Sequence, residues 1–438
     1  MLSYLGLKRL EHRGLFLAIV YLALFVSLLG LMHGARKVEG PVWLTPGIFW
    51  DVAIYHRAMH AVEAGLDPYA TGLARQYAAN AAGKHAFTYV YPPLTLPVLR
   101  GLNLLPLWLA AVLYWGAYVA SYAGLLWAVT QCFHPQEKAV MKYFVPLVIF
   151  FPALMPDEVI LSGNVAYIFY GLLFPAAIVG WKRGNWRWFY LAVLVASCFK
   201  VPFLTLLAFP ALLGERQWIK ATGIGAVGLG LFGMQALLWP VQFREYLASV
   251  SLQFDFNADF GQSLAGNIGR ALYWHGLPYR TIPAVVFLVY GSMLFAVLCH
   301  FSRLYHQRRI SAESWIPVLL VGIILLNPRI MQYDVHVVAL PMVLILVRSL
   351  SSRSKAGLVV TACVLGLTLV DLFGVNFYSG DDVRNMCVLV AVMAVGLEYL
   401  ALKARRTSSE SSFVLSEVVA LPQPGLVRVE AYTPDAGG

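Results

Sequence analysis

A chain of 438 residues that is 60% apolar and only 12% charged lies far from the roughly 25% charged content of soluble domains, which excludes a water-soluble enzyme or binding module. The formal net charge of +10 does not point to nucleic acid, because the cations sit in small clusters between apolar segments and form no continuous patch. The five cysteines (Cys132, Cys198, Cys299, Cys363 and Cys387) have neither paired nor metal-ligand spacing, so no disulfide framework or zinc site is expected.

Apolar runs recur from Leu15 to about Tyr399, and a bilayer-spanning helix needs about 20 such residues. The first run, from about Leu15 to Met32, is longer than a signal-peptide core and lacks a small-residue cleavage site, so it reads as a retained span. Positive clusters mark the cytoplasmic ends of short loops. Here they are Lys8, Arg9 and Arg13; Lys138 and Lys142; Lys182, Arg183 and Arg187; Arg216 and Lys220; Arg303, Arg308 and Arg309; Arg348, Arg353 and Lys355; and Lys403, Arg405 and Arg406. An outward excursion between each neighbouring pair gives about twelve crossings with both termini cytoplasmic. The expected fold is therefore an all-α polytopic membrane protein. One transmembrane domain covers residues 1–405, with long outer loops at about 35–106 and 241–280. Residues 406–438, rich in Ser, Pro and Gly, read as a disordered cytoplasmic tail.

Directly after the first span comes "DVAIYHRAMHAVEAGLDPYA". At about 100° per residue a helix over 51–64 places Asp51, Tyr55, Ala58 and Val62 on one face, flanked by Val52, Ile54 and Met59, with His56, Arg57, His60 and Glu63 opposite. Asp51 then points with the apolar face, although a carboxylate at that place also suits a helix cap. His56 and His60 have i, i+4 spacing but no third ligand, so a solvated helix face is the simpler reading. Further on, "FTYVYPPLTLPVL" carries Tyr89 and Tyr91, either as interfacial anchors or as the lining of a lipid entry. Residues 188–213 must leave and return within the length of one span, and "CFKVPFL" puts Lys200 and Pro202 at the middle of that hairpin. Proline breaks the helix there, and an intramembrane ammonium marks a cavity unless it snorkels or pairs. "MPDEVILSGN" marks a second turn. In "GQSLAGNIGR", Gln262, Ser263 and Asn267 could hold sugar hydroxyls, or Ser263 could cap a re-entrant helix. In "NPRIMQYDVH", Arg329 could meet phosphate or pair with Asp334.

In their order and spacing, these words, with "LSGNVAYIFYGLL", resemble the polyprenol-phosphate-dependent mannosyltransferases of glycosyltransferase family 87, a branch of the GT-C fold, over about residues 10–400. The resemblance implies a multi-pass enzyme of a bacterial plasma or inner membrane. It would take a sugar, mannose in most relatives, from a polyprenyl-phosphate carrier with inversion, and pass it to a lipid or glycan acceptor on the extracytoplasmic side. An acidic residue in the first outer loop serves as base in this fold, and Asp51 occupies that place. Two words depart from the pattern: Gly163-Asn164 stands where many relatives have Gly-Gln, and "NPRIMQYD" where they often have Ser-Pro with a Trp.

The implied chemistry suits these residue types. A phosphate diester leaves as a stable monoester anion and needs no strong acid, whereas the acceptor hydroxyl must lose a proton, so one carboxylate of raised pKa suffices. Candidates for the donor phosphate are Lys200, Arg329, Arg270, Arg57 and His336. Those for sugar or acceptor are Tyr55, Tyr91, Asn164, Gln262, Ser263 and Asn267. A hydrolase would need a second carboxylate across the sugar, for which Asp157, Asp255 and Asp259 are available. No cofactor or metal is expected, since no DxD-like word stands in an outer loop; Asp381 and Asp382 of "GDDVRN" come nearest and read as a solvated turn. The rival readings are a secondary transporter or flippase of a small solute or lipid-linked sugar, and a noncatalytic assembly scaffold.

Overall fold

The computed structural model describes residues 50–72, 88–134, 137, 163–255, 258–372 and 381–419. All regular structure among them is helical, as expected where no water is at hand to satisfy backbone groups. In chain order the helices are α1 (Trp50–Glu63), α2 (Thr95–Asn103), α3 (Leu107–Thr130), α4 (Val165–Arg183), α5 (Arg187–Phe199), a 3-10 segment (Val201–Leu207), α6 (Ala208–Leu213), α7 (Trp218–Leu238), α8 (Pro240–Asp255), α9 (Leu264–Trp274), α10 (Thr281–His306), α11 (Ala312–Leu325), α12 (Gln332–His336), α13 (Ala339–Ser351), α14 (Lys355–Leu372) and α15 (Asp381–Val419). Among the described residues, five stretches are long and apolar enough to cross a membrane: Val112–Thr130, Val165–Arg183, Trp218–Leu238, Thr281–His306 and Val383–Thr407. The expected first span, the cations from Lys8 to Arg13, Lys138, Lys142 and Asp157 lie outside the described residues. The last helix runs to Val419, past the boundary expected at 406.

Two features of the packing position the site. First, α3 and α4 approach closely through small residues. A Cβ built on Gly171 would lie 2.2 Å from Ser121 Cβ and 2.3 Å from Ser121 Cα, and one on Gly124 would lie 2.8 Å from the Gly171 carbonyl oxygen. Contact of this kind, not exclusion of water, holds helices together in lipid. Gly171→Ala therefore forces two backbones apart, and we expect a melting temperature lower by several degrees for the detergent-purified protein, since overpacking typically costs about 1–3 kcal/mol. An unchanged unfolding curve would show that the helices have room to separate.

Second, the helix pair expected at 188–213 breaks where a proline demands it. The backbone of Lys200 is extended (φ −144°, ψ 109°) and closes α5, and Pro202 stands in the first turn of the 3-10 segment. Pro202 supplies no N–H to bond the Cys198 carbonyl and its ring would clash with that carbonyl, so α5 cannot run on through it. The 3-10 segment packs back against α5, and its Phe203, Leu206 and Leu207 are buried.

One topology cation is not a loop residue at all. Arg348 is buried, paired with Glu137 through Nε–Oε1 and Nη2–Oε2 contacts of 2.8 Å each, and Nη2 also donates to the Cys132 carbonyl at 2.8 Å. A buried guanidinium is tolerated with this degree of hydrogen bonding to a carboxylate.

Candidate functional site

The helix carrying Asp51 forms with the amphipathicity its sequence predicts. Ile54, Tyr55, Ala58 and Met59 are buried, His56, His60 and Glu63 are exposed, and Arg57 is partly covered. Val62, expected on the buried face, is only partly covered. His56 and His60 face each other across the exposed side, Nε2 to Nε2 at 3.2 Å. Tyr55 and Ala58 pack into a cluster with Tyr69, Tyr89 and Tyr91. This corrects the view of Tyr89 and Tyr91 as membrane anchors or lipid-facing rings, for each is only 3% exposed. Two turning prolines, Pro92 and Pro93, follow them, and the tyrosines fill the space beneath α1. The Tyr69 hydroxyl donates to the Tyr91 carbonyl at 3.0 Å.

At the edge of this cluster Asp51 meets the start of α4. Asn164 is the extended N-cap residue of that helix, and its Oδ1 accepts from the Ala166 N–H at 3.0 Å. The same oxygen accepts from Lys200 Nζ at 3.0 Å, while Asn164 Nδ2 donates to Asp51 Oδ2 at 2.9 Å. Lys200 Nζ also donates to the Tyr333 hydroxyl at 2.7 Å and lies 4.2 Å from the centre of that ring and 5.2 Å from that of Tyr91. The Tyr55 and Tyr91 hydroxyls are 2.7 Å apart, and Tyr55 accepts from the Val165 N–H at 3.2 Å. Residues from five distant parts of the chain thus form one cradle, with a carboxylate and an ammonium at its two ends.

Burial drives Asp51 up to about 6. The Asn164 hydrogen bond and then the Lys200 charge oppose that rise, and Asp259 adds to it. A carboxylate so placed is ionised at neutral pH yet more basic than an ordinary aspartate.

The remaining candidates divide. Arg329 pairs with Asp259, Nη2 to Oδ2 at 2.7 Å, and not with Asp334, which accepts from the Tyr170 hydroxyl at 2.6 Å and the Met331 N–H at 2.7 Å. The two short loops meet because Gly261 lets them: its φ is +76°, and a Cβ there would lie 2.6 Å from the Ile330 carbonyl oxygen, to which Gln262 N–H donates at 2.6 Å. Arg270 Nε reaches the carbonyl of Ala258, beside Asp259, at 3.4 Å. Ser263 takes the capping role, accepting from the Gly266 N–H at 2.9 Å. Asn267 donates to the carbonyls of Gln262 and Ser263, and Gln262 Oε1 accepts from Asn385 at 3.1 Å. Asp255 is engaged elsewhere, by Arg280 at 2.7 Å and Tyr279 at 2.8 Å. His336 is stacked with Tyr167 and Tyr122, centroids 5.3 and 6.3 Å away. Tyr333 and Tyr170 were not among the expected site residues. Their sole signal was an aromatic beside Asp334 and another on the apolar face after Asn164.

A model of glycosyltransferase family 87 matches residues 89–328, more than half of the chain. The match takes in Tyr91, Asn164, Lys200 and Asp259; Asp51 lies before it and Tyr333 after it. No curated protein matches the chain.

Proposed function

The chain belongs to glycosyltransferase family 87, and on that premise we propose that it moves a sugar, mannose, from a polyprenyl-phosphate carrier to a lipid or glycan acceptor on the extracytoplasmic side of a bacterial plasma membrane. In this reading residues 1–405 form one transmembrane domain of about twelve crossings with both termini cytoplasmic. The observation that supports it best is the cradle itself, in which a partly buried carboxylate of raised basicity stands one amide away from an ammonium. Transfer from a sugar phosphate asks for that pair: a base at the attacking oxygen and a fixed cation at the leaving phosphate.

The acceptor hydroxyl gives its proton to Asp51 as its oxygen attacks the anomeric carbon from the face opposite the phosphate. The anomeric carbon–oxygen bond to phosphate breaks with its electron pair going to that oxygen, and polyprenyl phosphate departs as the monoester anion, leaving an inverted linkage. Lys200 receives the phosphate charge. Arg329, with Arg270 behind it, supplies further positive charge, and Asp259 serves as the counter-ion of Arg329. Tyr55, Tyr91, Gln262 and Asn267 border the sugar and acceptor. No cofactor takes part in this scheme.

The test is transfer of radiolabelled mannose from polyprenyl-phosphate-mannose in membranes expressing the chain. Label should pass to a new product from the lipid donor and not from a nucleotide sugar. Because protonated Asp51 cannot accept a proton, the rate should climb as pH rises through about 6, its acid limb, and level off above it. Transport of a solute across sealed vesicles without consumption of the lipid donor would favour a transporter instead. A rate flat from pH 5 to 8, bracketing the value of about 6, would remove Asp51 from the base role.

A further inference from the structure

The side chain of Asn164 has the polarity of a sugar-binding amide, but its atoms are already engaged. Oδ1 has two lone pairs, and both have close donors, the Ala166 N–H and Lys200 Nζ, each at 3.0 Å. The Tyr91 hydroxyl approaches the same oxygen at a longer 3.4 Å. Amide orientation is assigned by partners, and here the partners allow one choice. Turned over, the NH2 group would face an N–H and an ammonium, while the carbonyl would face the Asp51 carboxylate. The residue is buried and rooted in the backbone at the start of α4, with Gly163 before it in the left-handed region (φ 65°) and the Gly163 carbonyl held by the Tyr114 hydroxyl. Its amide therefore cannot swing to follow a substrate.

We propose that Asn164 is a positioning residue, whose oriented amide ties the Asp51 carboxylate to the Lys200 ammonium and holds the two at fixed separation across the reacting centre. The proposal rests on the reading of Asp51 as base. It makes the start of α4 a rigid spacer: the proton-accepting end and the phosphate-binding end of the cradle are set by one side chain that touches neither the acceptor nor the donor. The charged and titratable groups around Asp51 are Lys200 at the break after α5, Asp259 before α9, Tyr55 on its own helix, Tyr91 before α2, Tyr114 on α3 and Tyr333 on α12. Asn164 Nδ2 donates a hydrogen bond to the carboxylate that these groups surround.

Two variants of the full-length protein test this, assayed with polyprenyl-phosphate-mannose in membranes alongside Asp51→Asn. Asn164→Asp keeps a capping oxygen and an acceptor for Lys200 but replaces the donor to Asp51 by a like charge. Its acid limb should move up by about one pH unit or more. Asn164→Ser retains the cap but cannot span to both partners, and its kcat should fall about tenfold to a hundredfold without a matching rise in either KM. An acid limb unmoved in Asn164→Asp, or an Asn164→Ser effect confined to KM, overturns the proposal and returns Asn164 to ligand contact. If only one variant folds, that one decides; failure of both to fold would assign the residue to the helix cap alone. Full activity of Asp51→Asn marks failure of the base reading itself, independently of how the Asn164 variants behave.

Discussion

Asp51→Asn lowers sugar transfer by about a thousandfold, within the 10²–10⁴ range that a positioned base contributes, while the protein inserts and melts as the native chain does. The two halves of this expectation have separate grounds. The new amide is nearly isosteric and its carbonyl can still accept from Asn164 Nδ2, now 2.9 Å from Asp51 Oδ2, so the junction of α1 with α4 persists. Lys200 keeps the Tyr333 hydroxyl and Asn164 Oδ1. What disappears is proton affinity, since an amide oxygen cannot take a hydroxyl proton near neutral pH. Retained melting behaviour with lost transfer is the signature of chemistry. Lost folding would instead make Asp51 a structural tie between α1 and α4, and unimpaired transfer would leave the carboxylate without a chemical duty.

That Asp51 is a strong candidate can be read from the sequence, because its argument is local. A carboxylate on the apolar side of a short amphipathic helix needs only a helical period to be noticed, and Ile54, Tyr55, Ala58 and Met59 are buried as the period requires. The break at Lys200 is local as well, since Pro202 dictates it and a cation amid apolar residues draws attention to it. The pairings across the chain are another matter. Arg329 has Asp334 five residues away, yet its partner is Asp259, 70 residues back, because Gly261 allows two loops to touch. Arg348 belongs to a run that looks like an ordinary cytoplasmic cluster, and only the tertiary fold carries Glu137 to it. Tyr89 and Tyr91 have the composition of interfacial anchors; what makes them core is the cover that α1 and Tyr69 place over them.

The same distinction separates the positions of charge from their partners. Hydropathy and positive clusters give an expected set of crossings, but they treat each charge as if it stood alone. In the cradle the charges do not stand alone: Lys200 lies between Asn164 and Tyr333, with Asp51 beyond the amide. Nothing in the spacing of residues 51, 164, 200 and 333 shows that they converge. Convergence depends on the close α3–α4 contact at Gly171 and on the 3-10 segment folding back on α5, both of which are tertiary facts.

Lys200→Met should depress kcat/KM for the lipid donor by about a hundredfold to a thousandfold, the effect expected when a fixed charge is removed from a developing anion in a poorly hydrated site. Methionine fills much of the same volume against Tyr91 and Tyr333, so the loss is electrostatic and not a cavity. Two companions separate charge from shape. Tyr333→Phe keeps the ring that lies 4.2 Å from Nζ and removes only the hydroxyl at 2.7 Å, and a loss of about tenfold to a hundredfold, the worth of one hydrogen bond to a charged group, is expected. Lys200→Arg keeps the charge but presents a planar fork where Asn164 Oδ1 and the Tyr333 hydroxyl receive a single point donor, so it should recover little. Losing the ammonium also removes an opposite charge from the surroundings of Asp51, which raises its pKa and moves the acid limb of the Lys200→Met rate profile to higher pH. A Lys200→Met protein with native donor kinetics and a native acid limb would show that the ammonium neither meets the phosphate nor acts on the base, and would reduce it to a counter-ion for the buried Asp334.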